Sequence, residues 1–477
     1  MVFKGIKKRV KHFLNRNTDT AFNNAEPVIV SRDKHPVSRK QISNNALKVL
    51  YRLESAGFEA YLVGGCIRDI LLNHNPKDFD IATNAHPEQV HKLFRNSRLI
   101  GRRFRLVHVH FGREIIEVAT FRANHPEDTK PVAQIKGQHK SATSNTGMLL
   151  RDNVYGTVEE DAARRDFTAN ALYYSISDFS IHDYGQGLKD IENRTLRMIG
   201  EPSVRYQEDP VRMLRAVRFA AKLDFDIEEA TQAPIPEMGK LLLNIPSARL
   251  FDEALKLFQS GHAEQSFRLL REHQLFRFIF PEADELLNED EPGFIERLIL
   301  CTCQNTDKRI AEDKPVTPIF LFAAFLWPKV QQHWEEQKAF MPPVPALTKA
   351  AQLVLDQQVK VTAIPKRFST AIKEIWDLQL RLQRRNGKKA FQLLDHPRFR
   401  AAYDFILLRE QAGENLDGLG VWWTDFQNSD DNAKQKMASK AGHPRRGKRP
   451  SGKPSNNRYK NRSRSRKPKD SAPKSSD

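Results

Sequence analysis

The segment Leu62–Thr83, LVGGCIRDILLNHNPKDFDIAT, restricts what this chain can fold into more than any other. An apolar strand runs into Gly64 and Gly65, which open a short helix carrying Arg68 and Asp69. A second strand then brings Asp78-Phe79-Asp80. Alternate residues of an extended segment point the same way, so Asp78 and Asp80 project together and Phe79 points to the other side. Carboxylates at that spacing repel unless a cation lies between them, which is the role of paired Mg²⁺ ions in phosphoryl and nucleotidyl transfer. A glycine turn at a helix N-terminus offers backbone N–H groups to a triphosphate. The order strand, GG, helix, strand, DxD predicts a phosphate cradle at Gly64 and Gly65 beside a metal holder at Asp78 and Asp80.

The patterns on either side set the organisation. Leu47, Leu50 and Tyr51 have helical spacing, and Phe58–Val63, Phe79–Ala82, Arg105–Phe111, Ile115–Phe121 and Ile181–Tyr184 read as strands. His125–Leu149 is polar and reads as a mobile loop. From about Asn193 the periodicity is helical, with Glu208-Asp209-Pro210 as a helix start, Asp209 at the N-cap and Pro210 at N1. Phe368, Ile372, Ile375, Leu378 and Leu382 form a later helical stripe. The expected architecture is α+β. It comprises a basic leader and linker (1–44), a head with a mixed β-sheet (45–190), an all-α neck (191–285) and body (286–428), and a disordered basic tail (429–477).

Charge points to a polyanionic partner. The chain of 477 residues has a formal net charge of +18. Residues 440–477 hold 14 Lys or Arg against two Asp, about two thirds of that excess, with Tyr459 as the one aromatic. Such a segment cannot build a core. Arg445, Arg446, Lys448, Arg449, Arg462, Arg464 and Arg466 suit RNA phosphates without base choice. Three cysteines, Cys66, Cys301 and Cys303, argue for a reducing cytosol and against a disulfide framework. No apolar run reaches membrane-spanning length; Ile319–Trp327 lies between Pro318 and Pro328 and reads as a buried helix. Phe3, Ile6, Val10, Phe13 and Leu14 share one helical face amid lysines. Residues 3–14 are thus a basic arm or, alternatively, a peripheral membrane contact.

A third carboxylate is expected, either Asp166 in RRDFTANAL or Glu117 in EIIEVAT, with Asp166 placed first. Arg164 and Arg165 beside Asp166 offer guanidinium groups for a ribose hydroxyl or phosphate, or for a plain salt bridge. Arg102, Arg103 and Arg105 make a basic patch, and His108 and His110 share a strand face with no carboxylate partner evident. His182-Asp183 lacks the further ligands of a metal phosphohydrolase site. Asp209 and Arg212, one helical turn apart, offer one acceptor beside one donor fork. That pattern complements the amino and ring-nitrogen edge of A or C and mismatches G and U. Arg215 and Arg218 follow on the same face.

As an ordered set, LVGGCIRD, KDFDIAT, EVATFR, RRDFTANAL and EDPVRMLRAVRFAAKL resemble the class II nucleotidyltransferases of the DNA polymerase beta superfamily, bacterial poly(A) polymerases and CCA-adding enzymes. The resemblance implies Asp78 and Asp80 as metal ligands, with Asp166 in the RRD motif. It implies Gly65 and Arg68 at the triphosphate, Arg165 at the ribose, Asp209 and Arg212 at the base, and Arg215 assisting. Cys66 and Ala169 depart mildly from the family pattern. GRRFRLVHVHFGREIIEVATFR, HPRFRAAYDFILLRE and the basic ends are similar to the poly(A) polymerase branch. That branch implies a cytoplasmic monomer, ATP and Mg²⁺, and RNA 3′ ends (mRNA, small regulatory RNA, decay intermediates) as acceptors. RNA-decay proteins or an RNA chaperone would be its protein partners. CCA addition to tRNA is the alternative, and a non-catalytic RNA-binding adaptor a weaker one.

Overall fold

The computed structural model describes residues 26–101, 105–123, 142–143, 149–151, 154–290 and 293–441. Residues 3–14, Arg102 and Arg103, most of the His125–Leu149 loop and all seven tail cations named above lie outside them.

The head is an eight-stranded mixed sheet. Its strands are β1 (Val28–Val30), β2 (Ala60–Val63), β3 (Asp80–Thr83), β4 (Ser97–Ile100), β5 (Leu106–Phe111), β6 (Glu114–Thr120), β7 (Leu172–Ser175) and β8 (Ile181–Asp183). The spatial order is β1-β8-β7-β2-β3-β6-β5-β4, antiparallel throughout except for the β3–β6 pair. One register row crosses the whole sheet: Ile29, His182, Tyr173, Val63, Asp80, Glu117, His108 and Arg98. Residues in register lie on one face, so Asp80, Glu117 and His108 stand side by side.

The opposite face is covered by α1 (Asn44–Ser55), α2 (Gly65–Leu71) and α3 (Pro87–Leu93), packed on Leu62, Ile81, Val107 and Val118. Ser43 caps α1 by accepting the Ala46 N–H at 3.0 Å, and Ala46, Val49, Leu50 and Leu53 form its buried face. Tyr51, expected in that stripe, is exposed. The short α4 (Val158–Ala163) covers part of the row's face through Val63, Phe121 and Tyr173, and α5 (Gly187–Glu192) follows β8.

Helices then take over, led by α6 (Pro202–Glu208), α7 (Val211–Leu223), α8 (Ser247–Phe258) and α9 (Ala263–Glu272) in the neck. The body continues with α10 (Pro281–Glu289), α11 (Phe294–Ala311), α12 (Pro318–Lys338), α13 (Pro343–Val361), α14 (Lys366–Arg381), α15 (Phe399–Gln411), α16 (Leu419–Asn428) and α17 (Asp431–Lys440). One apolar core runs from the head through the neck into the body. A second closes the C-terminal end around Trp423 and Phe426.

Several expectations need correction. Val28–Val30 lies within the stretch read as leader and linker, yet pairs with β8 as an edge strand. The Asp166-FTANALYY stretch forms a 3-10 turn at Thr168–Asn170 and then β7. The helix expected from Pro210 starts at Val211, although the Asp209 carboxylate still accepts the Val211 N–H at 3.3 Å. Pro328 does not end α12, which runs on to Lys338. Nor does order stop at Asn428: Asp430 caps α17 by accepting the Ala433 N–H at 2.7 Å, and Ala438 is buried against the second core. Among the described residues, no helix is long and apolar enough to cross a membrane.

Candidate active site

A cavity of about 690 Å³ opens where the head meets the neck. Its wall includes Gly64, Gly65, Arg68, Asp78, Asp80, Arg165, Asp166, Asp209, Arg212 and Arg215, whereas Arg164, also nominated by the sequence, lies outside it. Glu117 lies on the same wall.

The floor is built by β2 and β3. Gly64 has φ +77°, a conformation L side chains rarely adopt, and a Cβ there would meet Arg165 Nη1 at 3.3 Å. The turn therefore needs glycine twice over, for its backbone and for the guanidinium lying against it. Arg165 is fixed from three sides: Nε donates to the Tyr173 hydroxyl at 2.7 Å, Nη2 to Asp161 Oδ2 at 3.1 Å and Nη1 to the Asn170 carbonyl at 3.5 Å. Arg68, buried at the helix end of the turn, bonds Asp69 Oδ1 through Nε (2.9 Å) and Nη2 (2.6 Å) and reaches the Asn170 side chain. Cys66 is buried under the turn; its Sγ contacts the Val63 carbonyl at 3.2 Å, and burial, then the Asp80 charge, pushes its thiol up to about 12.

Phe79 is buried in the head core while Asp78 and Asp80 open on the cavity, as their alternation requires. Asp80 can be reached by water, yet it sits low in the cleft with protein on several sides. That crowding, then the Glu117 carboxylate across the β3–β6 pair, raises its pKa to about 6. Hard carboxylate oxygens gathered against their mutual repulsion fit a divalent cation. Among the described residues no cluster of three or more His, Cys, Asp or Glu is preassembled around one point.

The two candidates for a third carboxylate stand in different surroundings. Asp166 is buried and its oxygens are occupied: Oδ1 accepts the Phe167 N–H (2.9 Å) and Asn170 Nδ2 (3.0 Å), and Oδ2 accepts Nε (2.7 Å) and Nη2 of Arg215. Burial would raise its pKa, but Arg215 and these donors hold it well below the usual carboxylate range. Glu117 instead faces Asp80 in register, with His108 Nε2 at 3.4 Å on its other side. His108 therefore does have a carboxylate partner, one that cross-strand pairing supplies and sequence spacing hides.

The neck contributes the opposite wall. The Asp209 and Arg212 side chains each have a partner of their own. Arg212 Nη1 donates to Glu208 Oε2 at 2.8 Å, and Asp209 Oδ2 accepts Arg249 Nη2 at 2.6 Å. Arg249 comes from α8, forty residues on, and no motif announced it. Arg205 joins the two walls by donating to the carbonyls of Arg164 (2.6 Å) and Arg165 (2.8 Å). Phe219 lies beneath the guanidinium groups of Arg68, Arg215 and Arg218, 4.5 to 5.3 Å from ring centroid to Cζ. Asp183 is structural, accepting the backbone N–H groups of Gly185, Gly187 and Leu188 at the start of α5, and His182 Nε2 is 3.0 Å from Ser180 Oγ. All three cysteines are free thiols.

The chain is similar to known proteins over most of its length. Residues 60–197 match the poly(A) polymerase head domain. Residues 224–287 match a region described as the probable RNA- and SrmB-binding site of polymerase A. Residues 339–468 match the arginine-rich C-terminus of polymerase A. Over 407 residues the chain is 51% identical to poly(A) polymerase I of Salmonella typhimurium, covering 84% of this chain and 86% of that one. The chain belongs to the poly(A) polymerase I family. A CCA-adding enzyme of Lactobacillus helveticus is 38% identical over only 48% of this chain and 53% of its own. The solved CCA-adding enzyme of Thermotoga maritima, complexed with tRNA, shares the fold at a TM-score of 0.53. At 18% identity it covers 89% of this chain and 91% of its own.

Proposed function

We infer that this chain is a template-independent poly(A) polymerase, transferring AMP from ATP to RNA 3′ ends and so marking RNA for decay in the cytosol. The observation that carries this is the convergence of the glycine turn, the DxD pair and the Asp209–Arg212 wall on one cavity, in a chain of the poly(A) polymerase I family.

Each part has a task in that reaction. The turn at Gly64 and Gly65, with Lys77, Arg218 and Lys222, receives the triphosphate. Arg165, locked by Tyr173 and Asp161, lies over the turn and contacts the nucleotide there. Asp209 accepts from the adenine amino group while Arg249 holds its carboxylate in place, and Arg212, steadied by Glu208, donates to the ring nitrogen. Asp78 and Asp80, with Glu117 as third carboxylate, would hold Mg²⁺. Bound there, the ion supplies charge neutralisation on the phosphates and a more acidic acceptor hydroxyl. The acceptor O3′ forms a bond to the α-phosphorus, the bond to the β-bridging oxygen breaks, pyrophosphate leaves with the electron pair, and the hydroxyl proton passes to solvent. Asp166 is here a clamp on Arg215 rather than a ligand.

The test is incubation of the purified chain with a generic RNA and each nucleoside triphosphate separately. Long products with ATP alone are expected. Addition confined to tRNA lacking its end, with CTP required, would establish CCA addition instead. An Asp80→Ala chain that kept full activity in cells would point to an adaptor.

A further inference from the structure

A second cavity, of about 520 Å³, lies in the helical body and shares no lining residue with the active-site cavity. It opens between α11, the start of α12 and α15. Leu321 and Leu408 line it fully buried, and Val316, Phe320, Ala401 and Leu407 line it half-buried. Four exposed cations, Lys308, Arg309, Arg398 and Arg400, also line it, against two carboxylates, Glu312 and Asp404. Asp404 pairs with Arg400 at 3.0 Å, Glu374 with Arg398 at 3.1 Å, and Glu312 with Lys314 at 2.7 Å. Among the described residues neither Lys308 nor Arg309 has an ion pair; Arg309 gives Nε and Nη2 to the Pro315 carbonyl at 3.3 and 3.0 Å. The uncompensated positive charge of the cavity therefore gathers on these two neighbouring side chains.

Three amide side chains, Gln259, Asn305 and Gln411, complete the lining. Asn305 Nδ2 leans on Gln411 Oε1 at 3.4 Å, which leaves Asn305 Oδ1 as an acceptor beside Gln411 Nε2 as a donor. That pair matches the amino group of adenine beside a ring nitrogen. Gln259 Nε2 is buried and finds no acceptor among the described residues, a loss that a ligand oxygen would make good. A partly enclosed apolar lining of this volume, with a few convergent polar groups, has the character of a small-molecule site. We propose that the body cavity binds a free adenine nucleotide, with its base between Phe320 and the Asn305–Gln411 pair and its phosphates on Lys308 and Arg309. Two adjacent cations suit the end phosphates of a mononucleotide, whereas a nucleic-acid strand calls for a track of cations along its backbone.

The test is photolabelling of the full chain with 8-azido-ADP, followed by peptide mapping. Two labelled regions are expected, one in the head and neck and the other within residues 305–321 or 397–411. ADP should displace the body label at about a tenfold lower concentration than GDP does. Lys308→Gln, at an exposed position, should weaken that displacement about three- to tenfold. Gln411→Leu should weaken it about tenfold and erase the preference for ADP over GDP. Both variants should keep the head-and-neck label at the parental level, and if Gln411→Leu folds poorly, Lys308→Gln decides alone. Label confined to the head and neck, or a body label that the variants keep in full, overturns the proposal. So does a body label that oligo(A) removes and ADP does not, because the occupant is then an RNA strand. None of these readouts requires the chain to polymerise ATP, so the polymerase reading stands or falls separately.

Discussion

Asp166→Asn is nearly isosteric and removes one charge, yet the structure predicts a large cost. The carboxylate accepts from four donors: the Phe167 N–H and Asn170 Nδ2 on one oxygen, Arg215 Nε and Nη2 on the other. An asparagine must present its NH₂ group to one of these pairs, donor against donor, whichever way it is turned. Breaking a buried ion pair by removing one partner costs about 3–5 kcal/mol. The Arg215 side chain is 32% exposed, so water recovers part of that, and about 2–3 kcal/mol is expected. Urea unfolding followed by circular dichroism is the suitable assay, because all five tryptophans lie between residues 327 and 423 and their fluorescence would report the body alone. The pH dependence has a definite sign. The folded pKa of Asp166 lies below its unfolded value of about 3.9, so its contribution is fully present above that value and is lost as pH falls through the folded pKa. Parent and variant should therefore differ by a constant amount from pH 8 to about 5 and converge in stronger acid. Glu117→Gln should do the reverse, leaving stability near the parent's while kcat falls about a hundredfold or more. An Asp166→Asn chain with parental stability and abolished turnover, beside an active Glu117→Gln chain, would refute this division of labour.

Other outcomes follow from the same geometry. Arg249→Ala removes a charged partner that positions the Asp209 carboxylate; kcat/KM for ATP should fall about tenfold, with less discrimination against the other triphosphates, measured by single-nucleotide addition. Gly64→Ala places a methyl group 3.3 Å from Arg165 Nη1 at a positive φ; ATP binding should weaken at least tenfold with the melting temperature lowered only a few degrees. Truncation after Lys440, which keeps α17, should weaken RNA binding and flatten its salt dependence while the KM for ATP holds. Unchanged RNA affinity in a filter-binding titration would remove the tail from the account.

What the sequence revealed and what it hid have physical causes. Gly64, Gly65, Asp78, Asp80, Arg165, Asp209 and Arg212 were legible because each belongs to a short motif whose spacing is set by one turn or one strand. Their meeting in a single cavity follows from the chain order. Glu117 was legible only as an alternative to Asp166, because its nearness to Asp80 depends on the parallel β3–β6 pairing, and cross-strand register is not written in local periodicity. The carboxylate partner of His108 was hidden for the same reason. Arg249 escaped notice because an isolated arginine in PSARLFDEAL resembles any solvated helix residue until the tertiary fold sets it against Asp209. The strand Val28–Val30 is too short for alternation to register, and α17 is too polar: its start is marked by the Asp430 cap rather than by an apolar stripe.

Cys66 sits directly beneath the turn assigned to the triphosphate, a place where a reactive sulfur would be a hazard. Only the thiolate attacks peroxide or disulfide readily. With its acidity shifted from 9 to about 12, the anion is roughly a thousandfold scarcer at neutral pH than in an ordinary cysteine, and the buried sulfur has little contact with oxidants. A cysteine at this position thus adds little redox sensitivity to the turn. Thiol-blocking reagents applied to the folded chain should label Cys301, the one partly exposed cysteine, and leave the nucleotide floor untouched.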